Sequence, residues 1–132
     1  MKKQTDARMD EEVYEMQVRI CKAFASITRL RMLDMLGASE RSCADIQREL
    51  GVTAANLSQH LAILKSAGVV ATRRDGKQIW CFLAMPEVKG ACEQVRNILR
   101  AQVRKAGRSV LKADKPSARA SGRTTKGATR NT

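Results

Sequence analysis

Aromatic side chains are scarce in this chain. Tyr14, Phe24, Trp80 and Phe82 are the whole set among 132 residues. A core must therefore come from Leu, Ile, Val, Met and Ala, as in many small helical proteins, and a small helical core of this kind is commonly completed by a second copy. Histidine is scarcer still: His60 is the only one, and nothing near it in the sequence offers a catalytic partner. No group of residues suggests an enzyme. Long apolar runs are missing too. No stretch approaches the roughly 20 residues that a membrane span needs, and Met1-Lys-Lys-Gln-Thr-Asp-Ala-Arg is polar where a secretory leader turns apolar. The expectation is a cytoplasmic protein without a membrane partner. The four cysteines, Cys21, Cys43, Cys81 and Cys92, form no C-x-x-C pair. In a cytosolic chain they are reduced thiols rather than staples.

Acidic residues are lacking in one region. Net charge is +12, yet residues 1–103 carry 16 basic and 12 acidic side chains, while residues 104–132 carry nine basic and one acidic. The excess therefore sits in a tail of Ala, Ser, Gly, Lys, Arg and Thr, with Val110-Leu111 its only apolar pair and Pro116 interrupting it. Such a segment cannot bury enough to fold alone. It reads as a disordered basic tail. It either solubilises the chain or adds sequence-blind DNA affinity, about 0.9 in log K against log salt for each phosphate neutralised. One folded domain is expected over residues 11–103, preceded by a flexible N-terminus over residues 1–10.

What is present is concentrated between Gly51 and Gly68. Thr53 is a helix cap, and Leu57, Leu61 and Leu64 recur at steps of four and three, one face of a helix. The opposite face carries Asn56, Ser58, Gln59, His60 and Lys65, with only one charge among them. A solubilising face would more often carry Glu and Lys. A face that reads base edges needs short donors and acceptors, with Lys or Arg nearby for phosphates. His60 fits there as a neutral donor or acceptor, the alternative being a structural histidine. Just upstream, Ser42-Cys-Ala-Asp-Ile-Gln-Arg-Glu-Leu50 is a second short helix ending at Gly51. Two short helices on a glycine turn are a helix-turn-helix signature.

The remaining chain frames this pair. Val13, Met16, Ile20, Phe24 and Ile27 mark a first helix from Glu11 to about Ala25, with Glu11, Glu12 and Glu15 at its start to suit the helix dipole. Ser26 to Gly37 is a second helix, capped by Ser26 or Thr28, with a stripe of Leu30, Leu33 and Leu36 widened by Met32 and Met35. Arg29 and Arg31 on it are either solvent cover or phosphate contacts. From Val69 to Leu83 the period changes to two, and Asp75-Gly76 signals a hairpin. Its tip, Arg73, Arg74 and Lys77, suits backbone phosphate or a minor groove, against the plainer alternative of a charged turn. After Pro86, Val88, Ala91, Cys92, Val95, Ile98, Leu99 and Val103 form a last helix whose apolar face can pair with the first helix and with a second subunit. The fold expected is mainly α with a β-hairpin wing, a winged helix-turn-helix dimerising through its first and last helices.

Two segments carry a family resemblance. Phe24-Ala-Ser-Ile-Thr-Arg-Leu-Arg-Met-Leu-Asp-Met-Leu36 resembles the helix that opens the DNA-binding domain of ArsR/SmtB repressors. Leu57-Ser-Gln-His-Leu-Ala-Ile-Leu-Lys-Ser-Ala-Gly-Val-Val-Ala-Thr-Arg-Arg-Asp-Gly-Lys-Gln-Ile-Trp80 resembles that family's recognition helix and wing. The likeness spans about residues 13–103, with Ile27 where proline is usual and Trp80 where tyrosine is usual. It implies a homodimer on a palindromic, double-stranded operator, released by a metal, metalloid or thiol-reactive signal. By resemblance Ser58, Gln59 and His60 face the bases, Thr53, Ala54 and Asn56 lie at the amino end, and Arg73, Arg74 and Lys77 form the wing.

The resemblance says less about the signal. The family's arsenic- and lead-type site is a Cys-x-Cys pair on the third helix. The matching positions here are Ser42 and Ala44, and Cys43 falls between them, about 100° around the helix. The zinc-type site needs histidines on the last helix, and there are none. No cofactor is required. Some family members sense sulfur species or oxidants through a cysteine on the last helix and one on the second; Cys92 lies on the last helix, the second helix has no cysteine, and Cys21 on the first helix is a conceivable replacement. A Cys21–Cys92 disulfide, or an arsenite or antimonite site with Cys43 as third thiolate, stand beside the plain alternative of core cysteines. Cys81 is read as core. Two other functions stay open: an architectural protein that coats DNA without sequence preference, and a winged-helix protein-interaction module with no inducer.

Overall fold

The computed structural model describes residues 2–107. The expected tail over residues 108–132 lies outside the described residues. The backbone falls into two units, Met1–Pro86 and a second beginning at Glu87. In the first, α1 (Lys2–Ala23) and α2 (Ile27–Ala38) lead to a short strand β1 (Arg41–Ser42). α3 (Cys43–Leu50), α4 (Ala54–Ser66), β2 (Val70–Asp75) and β3 (Gln78–Leu83) follow. The second unit contains α5, helical over residues 87–107. The architecture is the expected one, mainly helical with a β-hairpin wing.

Three hydroxyl caps set where α2, α3 and α4 begin. The side chain of Ser26 accepts from the Arg29 amide at 3.2 Å, Ser42 from Asp45 at 3.0 Å and Thr53 from Asn56 at 3.1 Å. Each satisfies an amide that has no partner inside its own helix. Gly51 closes α3 in the left-handed region at φ 67°, which lets the chain reverse within three residues into α4. Ser42 does two jobs, since it also pairs with Trp80 across the sheet and is nearly inaccessible. Ser42→Ala is expected to cost about 1–2 kcal/mol, the upper half of the range for lost caps. A urea titration showing less than about 0.5 kcal/mol would contradict this reading.

Met32, Leu33, Met35 and Leu36 of α2, Ile46 of α3, Leu57, Leu61 and Leu64 of α4, and Val69, Val70 and Cys81 of the wing form the core. All but the sulfur-containing side chains are plain aliphatics, as the shortage of aromatics requires. The sheet is antiparallel in the order β1-β3-β2. Arg41 and Thr72 flank Cys81 from either side, and Arg73 lies opposite Trp80.

Several boundaries differ from expectation. α1 starts at Lys2, not near Glu11, so no acidic residue occupies its first turn. Residues 2–10 contain no glycine or proline to stop a helix that good formers can continue. Ile27 opens α2 and is 63% exposed instead of extending the stripe of α1. The hairpin loop is Gly76-Lys77, because Asp75 is still paired with Gln78. Only Gly76 has positive φ there, the glycine-first pattern of a two-residue turn. β1 was not foreseen, since two residues are too short to show a period. α5 continues through residue 107, past the expected end at Val103.

Candidate nucleic-acid interface

α4 presents its polar face as the spacing requires. Thr53, Ala54, Ser58, Gln59 and Lys65 are exposed and Asn56 is half-buried, while Leu57, Leu61 and Leu64 point into the core. Ala55 and Ala62, which sequence reasoning passed over, are also exposed between them. Their small size lets the helix approach a surface closely, and an alanine methyl can meet a thymine methyl.

His60 does not belong to this face. It is fully buried, so it cannot reach a base edge, and this corrects the expectation. The signal was available in the spacing, because position 60 lies three after Leu57 and four before Leu64, on the apolar stripe. Its partner is Arg29, whose Nη1 donates to His60 Nδ1 at 3.1 Å. A guanidinium only donates, so Nδ1 is the acceptor and the proton of the neutral ring sits on Nε2. That nitrogen is buried without a protein partner. Arg29 also donates through Nε to the Ala23 carbonyl at 2.5 Å and through Nη2 to that of Lys22 at 3.4 Å. It is thus more than plain solvent cover. It ties the end of α1 and the start of α2 to the middle of α4.

This arrangement has a pH signature. Burial holds the His60 pKa below its ordinary 6.5, and the Arg29 charge acts in the same direction. The unfolded chain takes up a proton near pH 6.5 while the folded chain does not. Stability is therefore complete above that pH and falls as the solution is acidified toward the lowered folded value, by up to about 1.4 kcal/mol per pH unit. His60 is the only histidine, so the slope between pH 7 and pH 5.5 reports on it. We expect the melting temperature of the chain to fall over this window and that of His60→Asn to stay flat. Parallel curves would contradict it.

The wing separates its three cations. Arg73 forms an ion pair with Glu40 at 2.7 Å and lies 5.7 Å from the centre of the Trp80 ring across the hairpin. Arg74 alternates to the other face of β2, the face of Thr72, Cys81 and Ile79. Arg74 and Lys77 are exposed. An open groove runs between α3, α4 and this wing face, lined by Cys43, Gln47, Ser58, Lys65, Thr72 and Ile79 among others. The structure thus brings Ser58, Lys65 and the Arg74 face of the wing to one side of this unit, and directs Arg73 to the other face of the sheet.

Of the expected sensing cysteines, Cys21 is exposed on α1 and Cys92 half-buried on α5. Cys43 is half-buried at the start of α3, in contact with Cys81. Among the described residues no group of three or more His, Cys, Asp or Glu side chains gathers as a metal site. No described helix is long and apolar enough to cross a membrane.

A winged helix with an exposed, hydrogen-bonding recognition face defines a class, the DNA-binding transcriptional regulators. Comparison with known proteins agrees. A helix-turn-helix domain family matches residues 24–73. The HTH-type transcriptional regulator Rv0081 of Mycobacterium tuberculosis is 33% identical over 90 residues, covering 67% of this chain and 79% of the relative. Its crystal structure superimposes with a TM-score of 0.64 at 31% identity, covering 70% of this chain and 94% of that one. The transcriptional activator HlyU of Vibrio cholerae is 35% identical over 81 residues, 61% of this chain and 75% of the relative. Its structure gives a TM-score of 0.61 at 33% identity, covering 67% and 96% of the two chains. The homodimeric winged helix-turn-helix domain Mb0332 of Mycobacterium bovis gives 0.65 at 28% identity, covering 74% and 88%. This chain belongs to the winged helix-turn-helix family of bacterial transcriptional regulators. It is a regulator of transcription, not an enzyme.

Proposed function

We propose that the chain is a cytoplasmic repressor of the ArsR/SmtB type, a homodimer that reads a palindromic operator and leaves it on a thiol-reactive or metalloid signal. The observation that carries the reading is the exposed face of α4, where Ser58 and Gln59 offer short donors and acceptors with almost no charge. In this reading Thr53, Ala54 and Asn56 approach the DNA at the amino end of α4. Lys65, Arg74 and Lys77 neutralise phosphates, and the basic tail adds salt-sensitive affinity.

Dimerisation is supported by apolar faces that the chain leaves in solvent. Val13 and Met16 on α1, and Val95, Ile98, Leu99 and Val103 on α5, are each more than half exposed. Apolar stripes of this extent mark association surfaces, and the similar Mb0332 domain is homodimeric. The direction of control depends on where the operator lies relative to its promoter. HlyU is described as an activator, and the repressor reading here rests on the family resemblance of the two motifs. For the signal, Cys21, Cys92 and Cys43 are the proposed sensing residues, with arsenite, antimonite or a thiophilic ion as candidate inducers.

The test is binding of the reduced full chain to its own upstream DNA and to a shuffled fragment across a range of salt. A specific regulator binds its operator on the order of a thousandfold or more above the shuffled sequence. Equal affinity for both, with a steep salt slope, would instead establish the architectural reading. No binding to either would overturn both DNA-binding readings, and a partner protein covering the face of α4 would then establish the protein-interaction module. Adding arsenite, antimonite, zinc, cadmium, persulfide or peroxide to the complex then identifies which class of agent dissociates it.

A further inference from the structure

Two cysteines 38 residues apart in sequence meet beneath the recognition helix. Cys43 is the first residue of α3, Cys81 lies mid-strand in β3, and their Sγ atoms are 3.5 Å apart. Cys81 is fully buried. Cys43 is half-buried and lines the open groove shared with Ser58 and Lys65 of α4 and Thr72 of the wing. One sulfur is therefore reachable from solvent, and the other lies behind it in contact.

We propose that Cys43 and Cys81 are a redox pair that a hydroperoxide closes into a disulfide, and that closure lowers affinity for DNA. Only the second half rests on the DNA-binding reading above. The chemistry balances as a two-electron exchange. Cys43 Sγ attacks the peroxide oxygen and the O–O bond breaks. The leaving oxygen departs as an alcohol, or as water from hydrogen peroxide, carrying the thiol proton, and Cys43 is left as a sulfenic acid. Cys81 Sγ then attacks Cys43 Sγ, the S–S bond forms and the S–O bond breaks. The hydroxide leaves as water with the proton of Cys81. The roles follow from the surroundings. Burial pushes the Cys81 thiol up to about 12, the hydrogen bond and charge of Cys43 act the same way, and Lys65 opposes them. Cys81 thus stays protonated behind Cys43, which faces the groove and reacts first.

Closure reaches the DNA-binding surface through short connections. The two sulfurs must come from 3.5 Å to about 2.05 Å. Cys43 follows Ser42, which caps α3 and pairs with Trp80, so drawing Cys43 toward β3 disturbs the start of α3. α4 begins after a turn of three residues from the end of α3, and its Ser58 and Lys65 border the groove above the pair. A covalent link between α3 and the wing strand therefore alters the placement of α4 against the wing, on which simultaneous contact with bases and phosphates depends.

The experiment uses the reduced full chain treated with hydrogen peroxide or cumene hydroperoxide. Remaining thiols are alkylated in denaturant and the peptides mapped by mass. Two of four thiols should be lost, with the Cys43 peptide joined to the Cys81 peptide. Affinity for the chain's own upstream DNA should fall roughly tenfold or more, within the usual size of such couplings, and dithiothreitol should restore it. Cys43→Ala, at the less buried position, should abolish both the link and the response, and Cys81→Ala checks the other sulfur. The Cys21→Ala, Cys92→Ala double variant should keep the Cys43–Cys81 link. Four intact thiols, a Cys21–Cys92 link, or an undiminished response in Cys43→Ala would overturn the proposal. A Cys43–Cys81 link with unchanged affinity would overturn its regulatory half. Failure of the reduced chain to bind its upstream DNA would count against the repressor reading, while the mapped link would still decide the redox pair.

Discussion

Arg29→Ala lowers the stability of the chain by about 2–4 kcal/mol, the scale of losing charged hydrogen bonds and leaving buried polar groups without partners. One guanidinium serves the Ala23 and Lys22 carbonyls at the end of α1 and His60 Nδ1 in α4. Its removal leaves both ring nitrogens of a fully buried histidine without a protein partner, since Nε2 already has none. At fixed protein concentration the midpoint should fall by about 8–32 °C, given roughly 4–8 °C per kcal/mol for a domain of this size. Arg29→Lys should recover little of it, because an ammonium cannot reach three acceptors in the plane of a fork. Were Arg29 a phosphate contact, the outcome would reverse: an unchanged midpoint and weaker DNA binding. Denaturation and DNA titration of the same variant separate the two.

Gln59→Ala is expected to lower affinity for the operator by about 1–3 kcal/mol, the discrimination carried by a well-placed base contact, or about 5- to 150-fold. Affinity for shuffled DNA, and the salt slope, should not move. Gln59 is exposed in the middle of α4, and alanine is the better helix former, so the variant folds and the effect is read at the interface. Lys77→Ala provides the contrast. A phosphate contact at the wing tip lowers binding to both DNAs alike and reduces the slope by about 0.9. If Gln59→Ala leaves operator affinity intact, base reading lies elsewhere on the helix, with Ser58 and Asn56 the next to replace.

His60 separates what local spacing tells from what it does not: its inward turn is written in the spacing, and its partner is not. Its chemistry suits a DNA-facing role, and it sits inside the run Leu57-Ser-Gln-His-Leu61 that resembles a recognition helix. A helix gives neighbouring residues different faces, however, and His60 turns inward with Leu57 and Leu64 while Ser58 and Gln59 turn out. What makes an inward histidine tolerable is Arg29, 31 residues away, and no local pattern announces that pairing. Arg73 is a similar case. Its place in a cationic turn was plain, but strand alternation puts it on Trp80 and beside Glu40, while Arg74 takes the groove face.

Periodicity and end signals alone determined the succession α2, α3, α4, β2 and β3, though not the two-residue β1 between α2 and α3, because 3.6- and 2-residue repeats, hydroxyl caps and glycines at φ > 0 are written within a few residues of where they act. The start of α1 escaped that logic, since a helix without a strong stop runs on as far as its residues allow. Contacts between distant residues were decided only by the tertiary structure. The Arg29–His60 link, the two faces of the wing and the meeting of Cys43 with Cys81 arise when α3, α4 and the sheet close on one core. Which side chains meet then depends on rotations and registers that no single segment contains.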